Sequence, residues 1–335
     1  MIDYIYYERD IEGHPRTQQF FLRFPKARKI PCNHYKEVFN PNGQSFRLQK
    51  KKPALILAKQ NGKKIHSIPP SYGIGGRQNF YFSHLLNCLY DCRYCFLQGM
   101  FPSAHYVLFV NYEDFWEDIL TQVKQTDHEP SWFFSGYDCD SLGMESVTQF
   151  AEFFLPLFAQ HPKACLELRT KSLNIGVLKK MKPLENVITA FSFTPEEISK
   201  QLEHGVPSVH ARTKAMHQLA KLGWQVGIRI DPVMDCLDFE ERYRKLFDEL
   251  LTDLPMDALH SVSLGAFRMP NAFFRRVEKI YPEEPLFAGK LVHDKQSVSY
   301  AKDIESARLG TCKSLLLDKV PHEKLFDCEI NSPAK

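Results

Sequence analysis

Long apolar runs are absent. The greasiest stretch, FFLPLFA at 153–159, is far short of the roughly 20 residues that span a bilayer. The opening MIDYIYYERDIEG lacks the basic start and apolar run of an export signal. A cytoplasmic protein with no membrane contact is therefore expected, with its nine cysteines as thiols rather than disulfides. Charge of one sign is lacking too. The 43 Lys and Arg nearly cancel the 40 Asp and Glu, leaving +3. That excludes a general electrostatic grip on a polyanion and leaves room for a local basic patch such as Lys50-Lys51-Lys52. A phosphate loop is missing as well: Gly73, Gly75 and Gly76 cluster, but no Lys-Ser/Thr pair follows and no helical pattern opens there.

What is present is a large apolar inventory. Hydrophobic residues make up 44% of the 335 positions, with 26 Phe and 14 Tyr, enough for two average domains or one α/β barrel with additions. Residues 1–75 read as an irregular, polar extension. From about 79 the texture alternates. Strand-like NFYFSH (79–84), YVLFV (106–110), SWFFSG (131–136), ACLELRT (164–170), NVITAFSF (187–194), WQVGIRID (224–231) and LHSVSLG (259–265) are separated by helical spacing. One such helix covers 112–123, with Asn111 as its cap. Alternation of this kind predicts parallel strands with helical crossovers, here an α/β fold with a partial (β/α)6 TIM-type barrel over 76–282. Chemistry in such a barrel belongs at the C-terminal ends of the strands. Residues 283–335 form a C-terminal extension, with a hairpin near 286–300 and a helix near 302–318.

Three cysteines, Cys88, Cys92 and Cys95, stand together in NCLYDCRYCFLQGMF (87–101). Six others are scattered and read as small buried apolar groups, although Cys139 lies close to a strand end. The Cys-x3-Cys-x2-Cys spacing admits three readings. Zinc takes four ligands, and His84 would complete a Cys3His set. A redox dithiol would use Cys92 and Cys95 and leave Cys88 spare. An iron–sulfur cluster held by three thiolates keeps one iron open to another ligand.

The motif resembles the signature of the radical S-adenosylmethionine enzymes, in which an aromatic, here Tyr94, precedes the last cysteine. The ordered series CLYDCRYCFLQGMF, YVLFVNYEDF, DSLGMESVTQF, ELRTKSLNIGVL, FSFTPEEI, GWQVGIRIDPV and GAFRMP is similar to the spore photoproduct lyase family over roughly 50–320. That resemblance implies a radical-SAM-type partial barrel, a 4Fe-4S cluster on Cys88, Cys92 and Cys95, and S-adenosylmethionine chelated at the open iron. It implies cofactor contacts at Gly136, Lys171 and Ser192. It also implies a lyase that reverses a thymine photoproduct in DNA, and a partner such as flavodoxin or ferredoxin as electron donor. A monomer is expected.

From the residues alone, Lys171 and Ser192 fall at the ends of predicted strands. Arg229 and Asp231 alternate on one strand face, placed to touch ribose or substrate or to pair with each other. Arg268 ends the sixth strand as a candidate for a phosphate or carboxylate of the substrate. The chain departs from the family at three places. Tyr137 stands where the family's hydrogen-donating cysteine falls, with Cys139 two residues on. If the segment stays extended, the two share a face and Cys139 takes the donor role; if it turns, Cys139 is packed. A relay tyrosine is present as Tyr94, but its partner is Phe96, which has no exchangeable hydrogen. The Arg-Tyr pair of the family's tail hairpin is absent from KLVHDKQSVSY. Two other readings stay open: a radical enzyme acting on another nucleic acid, peptide or small molecule, and a zinc-stabilised nucleic-acid-binding protein without catalysis.

Overall fold

A computed structural model describes residues 2–68, 72–76, 78–126 and 129–328. Six parallel strands, Gln78–Tyr81, Ser131–Ser135, Ala164–Thr170, Val187–Ser192, Gln225–Val233 and Leu259–Ala266, lie side by side in sequence order. They are the six strands of the expected half-barrel. Four of them are buried at every position or all but one, as strands covered on both faces should be. The antiparallel strand His66–Ser67 caps one edge, and Leu325–Asp327 adds in parallel to the other. The helix Phe239–Leu251 turns Phe239, Tyr243, Leu246 and Leu250 inward, the stripe its spacing predicts. Among the described residues, no helix is long and apolar enough to cross a membrane.

The described residues of the stretch 1–75 are not irregular. Arg28–Cys32, Tyr4–Glu8, Leu55–Ala58, Tyr106–Phe109 and Leu85–Leu86 form a second sheet in that order. YVLFV, which reads as a barrel strand, belongs there instead. The first two strands conceal themselves in sequence. Tyr4–Glu8 is only partly apolar, and Arg28–Cys32 is a largely solvated edge carrying Pro31, a position where proline is tolerated. The connection between the first two barrel strands thus detours through this second sheet, and the cysteine loop lies on that detour. Asn111 also differs from expectation. Its side chain does not cap the helix Tyr112–Lys124. Its oxygen accepts from Gln60 N at 2.9 Å, and its amide donates to Gln60 O and Asp114.

Past the barrel, the helix Asn271–Ile280 is followed by the antiparallel pair Leu291–His293 and Ser297–Tyr300, and Ser297–Tyr300 also pairs with Arg268–Pro270. The helix Lys302–Leu317 completes the predicted tail.

Candidate active site

The cysteine loop leaves the C-terminal end of the first barrel strand and is held from several sides. Asp91–Cys92 pairs antiparallel with Glu203–His204, and Arg93 N donates to Leu202 O at 2.8 Å. Cys95 N donates to Cys92 O at 3.0 Å, closing a tight turn. Asn87, with φ of 71°, anchors the entry by donating to the carbonyls of Ser103 and His105. Lys50, from the helix Phe46–Lys51, donates to the carbonyls of Cys88 and Tyr90 at 2.6 and 2.8 Å. Part of the basic run is therefore structural.

The thiols of Cys88 and Cys92 lie in the electrostatic field of Cys95, and burial raises all three above the ordinary thiol value, Cys88 to about 12. Thiols kept protonated this way are inert until a metal displaces the proton. A single zinc ion does not fit. Four donors at about 2.3 Å from one ion must lie about 4 Å apart, and among the described residues no group of three or more His, Cys, Asp or Glu converges so closely. His84 is elsewhere. It is buried with its ring stacked on Phe150 at 3.8 Å, its Nδ1 has no partner among the described residues, and burial pushes its pKa down to about 3. Three soft donors on one loop, with no fourth, suit a larger iron–sulfur cluster.

The rim beside the loop is organised by Asp140, which the sequence reading passed over. Its Oδ1 accepts from Leu142 N, Gly143 N and Thr170 Oγ1 at 3.0, 2.7 and 2.6 Å, and its Oδ2 from Lys171 N at 2.6 Å. One buried carboxylate thus joins the turn after the second barrel strand to the end of the third. Gly136 lies at that turn with φ of +86°, and a Cβ there would meet Ser141 Oγ at 2.5 Å, so glycine is required. Lys171 is brought beside Cys92 and Cys95. Burial works against its charge, but Cys92 and Glu203 outweigh that and raise its pKa. Its ammonium lies 3.9 Å from Glu203 and 5.6 Å from the Tyr94 ring centroid.

Glu203, also missed in sequence, anchors a second network. It accepts from Ser199 and Arg212, both at 2.6 Å, and from the Tyr94 hydroxyl in a short bond. Burial opposes the Glu203 charge, yet Arg212 and Lys171 hold its carboxyl below the ordinary range. Arg212 also donates to Ser192 O at 2.6 Å, fixing the end of the fourth strand. Tyr94 is buried with its hydroxyl engaged, and burial raises its pKa well above the ordinary value.

Tyr137 and Cys139 do not share a face. The chain bends from Gly136 to Asp140. Tyr137 is 49% exposed, while Cys139 is 5% exposed and packed in the core. The Tyr137 ring lies 4.5 Å from that of Tyr81 and 5.7 Å from that of Phe96, so it stands at the mouth next to the cysteine loop. A donor role for Cys139 has no geometric support.

Arg229 is corrected as well. It is fully buried, and its five N–H donors meet Glu167, Ser261 and the carbonyls of Ile228 and Ser261. None is left for a cofactor. It pairs with Glu167 at 2.8 Å inside the barrel rather than with Asp231. Asp231, nearer the mouth, lies 3.8 Å from Arg169, which also reaches Glu167 at 3.2 Å. Arg268 donates to Cys328 O at 2.6 Å, and its guanidinium lies 5.7 Å from the Tyr72 ring centroid. Part of its reach is thereby spent on the tail.

Comparison with known proteins gives a consistent result. The family described as spore photoproduct lyase matches residues 79–303. The spore photoproduct lyase of Bacillus subtilis (strain 168) is 26% identical over 238 residues, 70% of this chain and 68% of that one. The spore photoproduct lyase of Geobacillus sp. (strain Y412MC61) is 21% identical over 289 residues, 84% of this chain and 83% of that one. Among solved structures, spore photoproduct lyase complexed with dinucleoside spore photoproduct matches with a TM-score of 0.83 at 18% identity, over 98% of both chains. A mutant with bound AdoMet and dinucleoside spore photoproduct matches with a TM-score of 0.84 at 17% identity, again over 98% of both. These likenesses establish the half-barrel fold of this chain.

Proposed function

Because the chain belongs to the spore photoproduct lyase family, we propose that it is a radical S-adenosylmethionine lyase that reverses a thymine photoproduct in DNA. The observation that carries this reading is the single loop bearing Cys88, Cys92 and Cys95 at the C-terminal end of a half-barrel, walled by Gly136 and Lys171. The three thiolates would hold a 4Fe-4S cluster. That cluster supplies one-electron cleavage of bound S-adenosylmethionine to a 5′-deoxyadenosyl radical.

The remaining work falls to the chain. Lys171, kept charged by its neighbours, is placed to meet the cofactor's carboxylate. The open backbone at Gly136 is free of a side chain and suits the cofactor's amino group. Ser192 lines the same rim. The Glu167–Arg229 and Arg169–Asp231 pairs stiffen the barrel beneath it, and Asp231 stays near enough to the mouth to face substrate.

Tyr137 is our candidate for hydrogen return. Its phenol is exposed at the mouth, and its hydrogen atom can pass to the thymine-centred product radical, leaving a phenoxyl radical that one electron from the supplied reductant and one proton from solvent restore. Tyr94, bonded to Glu203, is a candidate relay whose hydrogen is held in a fixed direction. A lesion within duplex DNA must leave the stack to reach this mouth, at a cost of about a few kcal/mol.

The test uses anaerobically reconstituted protein, a reductant, S-adenosylmethionine and dinucleoside spore photoproduct. Appearance of thymidylyl-thymidine is the expected result. Accumulation of 5′-deoxyadenosine with the lesion untouched would instead point to another substrate for the same radical chemistry.

A further inference from the structure

The cysteine loop has an outer side as well as a catalytic one. Two helices cover it: Phe46–Lys51 and Asn271–Ile280. Lys50 holds the carbonyls of Cys88 and Tyr90 at 2.6 and 2.8 Å. Arg276 donates to Gly99 O and Met100 O at 2.9 and 3.2 Å, gripping the short helix after Cys95. The two helices also meet each other. Arg47 pairs with Glu283 at 2.7 Å, and its guanidinium lies 5.3 Å from the Tyr281 ring centroid. The same ring takes the Arg93 guanidinium at 3.6 Å, and its hydroxyl donates to Asp91, the neighbour of Cys92. On this side the cysteine loop is therefore held directly by two helices whose other faces meet solvent.

The outer surface of these helices is basic. Arg47, Lys51, Lys52, Arg275, Arg276 and Lys279 are exposed, against Glu278 and Glu283 as exposed acids on the same two helices and the turn after them. Lys51, Arg275 and Lys279 make no ion pair among the described residues. In a chain of net charge +3, this is a local concentration. Leu48, 66% exposed, stands among these cations. An apolar centre with a charged rim is the anatomy of a protein interface.

We propose that this basic face is the docking surface for an acidic one-electron carrier protein of the flavodoxin type. The inference rests on the cluster reading above and adds where the electron enters. One electron leaves the carrier's reduced flavin and enters the cluster, and no bond in this chain is made or broken. Charge complementarity selects an acidic partner, and the direct bonds from both helices to the loop backbone make this side suitable for electron entry. DNA is also acidic, but its lesion must reach the mouth lined by Tyr137, Lys171 and Ser192. The hydrogen bonds of the basic face run to the backbone of the loop, not to those residues.

The experiment compares wild type with the triple variant Lys51→Glu/Arg275→Glu/Lys279→Glu, after anaerobic reconstitution, by stopped-flow bleaching of the cluster's visible absorbance. With reduced flavodoxin at low salt, the variant should be slower by about tenfold or more, and the gap should close as salt is raised. With dithionite the two proteins should bleach equally fast. Binding of oxidised flavodoxin to the cluster-free proteins should weaken in the same order, giving a readout independent of cluster loading. An unchanged flavodoxin rate, or a wild-type rate indifferent to salt, overturns the proposal. So does a variant that loses affinity for lesion-bearing oligonucleotide while flavodoxin still reduces it normally, because the face would then belong to DNA. Failure of wild type to assemble a cluster would sink the cluster reading instead, and flavodoxin binding to the cluster-free chain would still decide the docking surface.

Discussion

Asp140→Asn is the sharpest perturbation of the site. The native carboxylate accepts four hydrogen bonds in a buried setting. An amide has one carbonyl. If that oxygen takes the Oδ1 place, it keeps Leu142 N, Gly143 N and Thr170 Oγ1, but its NH2 then faces Lys171 N, donor against donor. The lost charge-assisted bond is worth about 1.5–3 kcal/mol, and the stranded N–H of Lys171 adds about 1–3 kcal/mol. The three bonds that survive weaken from charged to neutral. Relief from burying a charge offsets part of this, since burial already lifts the Asp140 pKa. The net cost is then about 2–4 kcal/mol. Thr170→Val removes one donor and should cost about 1 kcal/mol. Urea unfolding at constant m-value measures both. Displacing Lys171 should also weaken S-adenosylmethionine binding to the reconstituted protein, read by equilibrium dialysis. An Asp140→Asn protein with an unchanged urea midpoint and unchanged cofactor affinity would refute the idea that this carboxylate organises the rim.

Three further outcomes are expected. In D2O, repaired thymine should acquire deuterium from the exchangeable Tyr137 phenol; Tyr137→Phe should abolish most of that incorporation and Cys139→Ala should preserve it, as mass spectrometry of the product will tell. Glu145 caps the helix Phe150–Ala159 by accepting from Ala151 N and Glu152 N, and burial raises its pKa from 4.5 to about 7. An acid raised on folding lends stability that is complete below its unfolded value and is lost as pH climbs through its folded value. Glu145→Gln should therefore cost more, relative to wild type, at pH 5 than at pH 8, by about 2–3 kcal/mol in urea titrations. Glu167→Ala should cost about 3–5 kcal/mol by stranding buried Arg229, whereas Glu167→Leu with Arg229→Met should cost less than that single change, a comparison that thermal unfolding can make.

The barrel was legible because its strands are apolar enough to need cover on both faces, and because long amphipathic crossovers separate them. ACLELRT spans the third barrel strand from Ala164 to Thr170 as read. The N-terminal sheet was not legible. Tyr4–Glu8 and Arg28–Cys32 are short, and Arg28–Cys32 is an edge, so neither carries a strong period. Tyr106–Phe109 looks like any buried strand, and only its pairing with Leu55–Ala58 assigns it to the second sheet.

The same division runs through the site. Local spacing picked out the cysteine triad, since Cys-x3-Cys-x2-Cys confines three soft donors to one short loop. It also determined the strand-end positions of Lys171 and Ser192. Tertiary structure decided everything that depends on partners distant in sequence. It sent His84 into the core, spent Arg229 on Glu167, and turned Cys139 inward while leaving Tyr137 at the mouth. It also recruited Asp140, Glu203 and Arg212 as the frame that holds the rim. A one-dimensional pattern reports periodicity and short-range geometry. Whether a polar side chain faces solvent, a cofactor or a counter-ion is set by which other segment arrives opposite it, and that is a property of the packed chain.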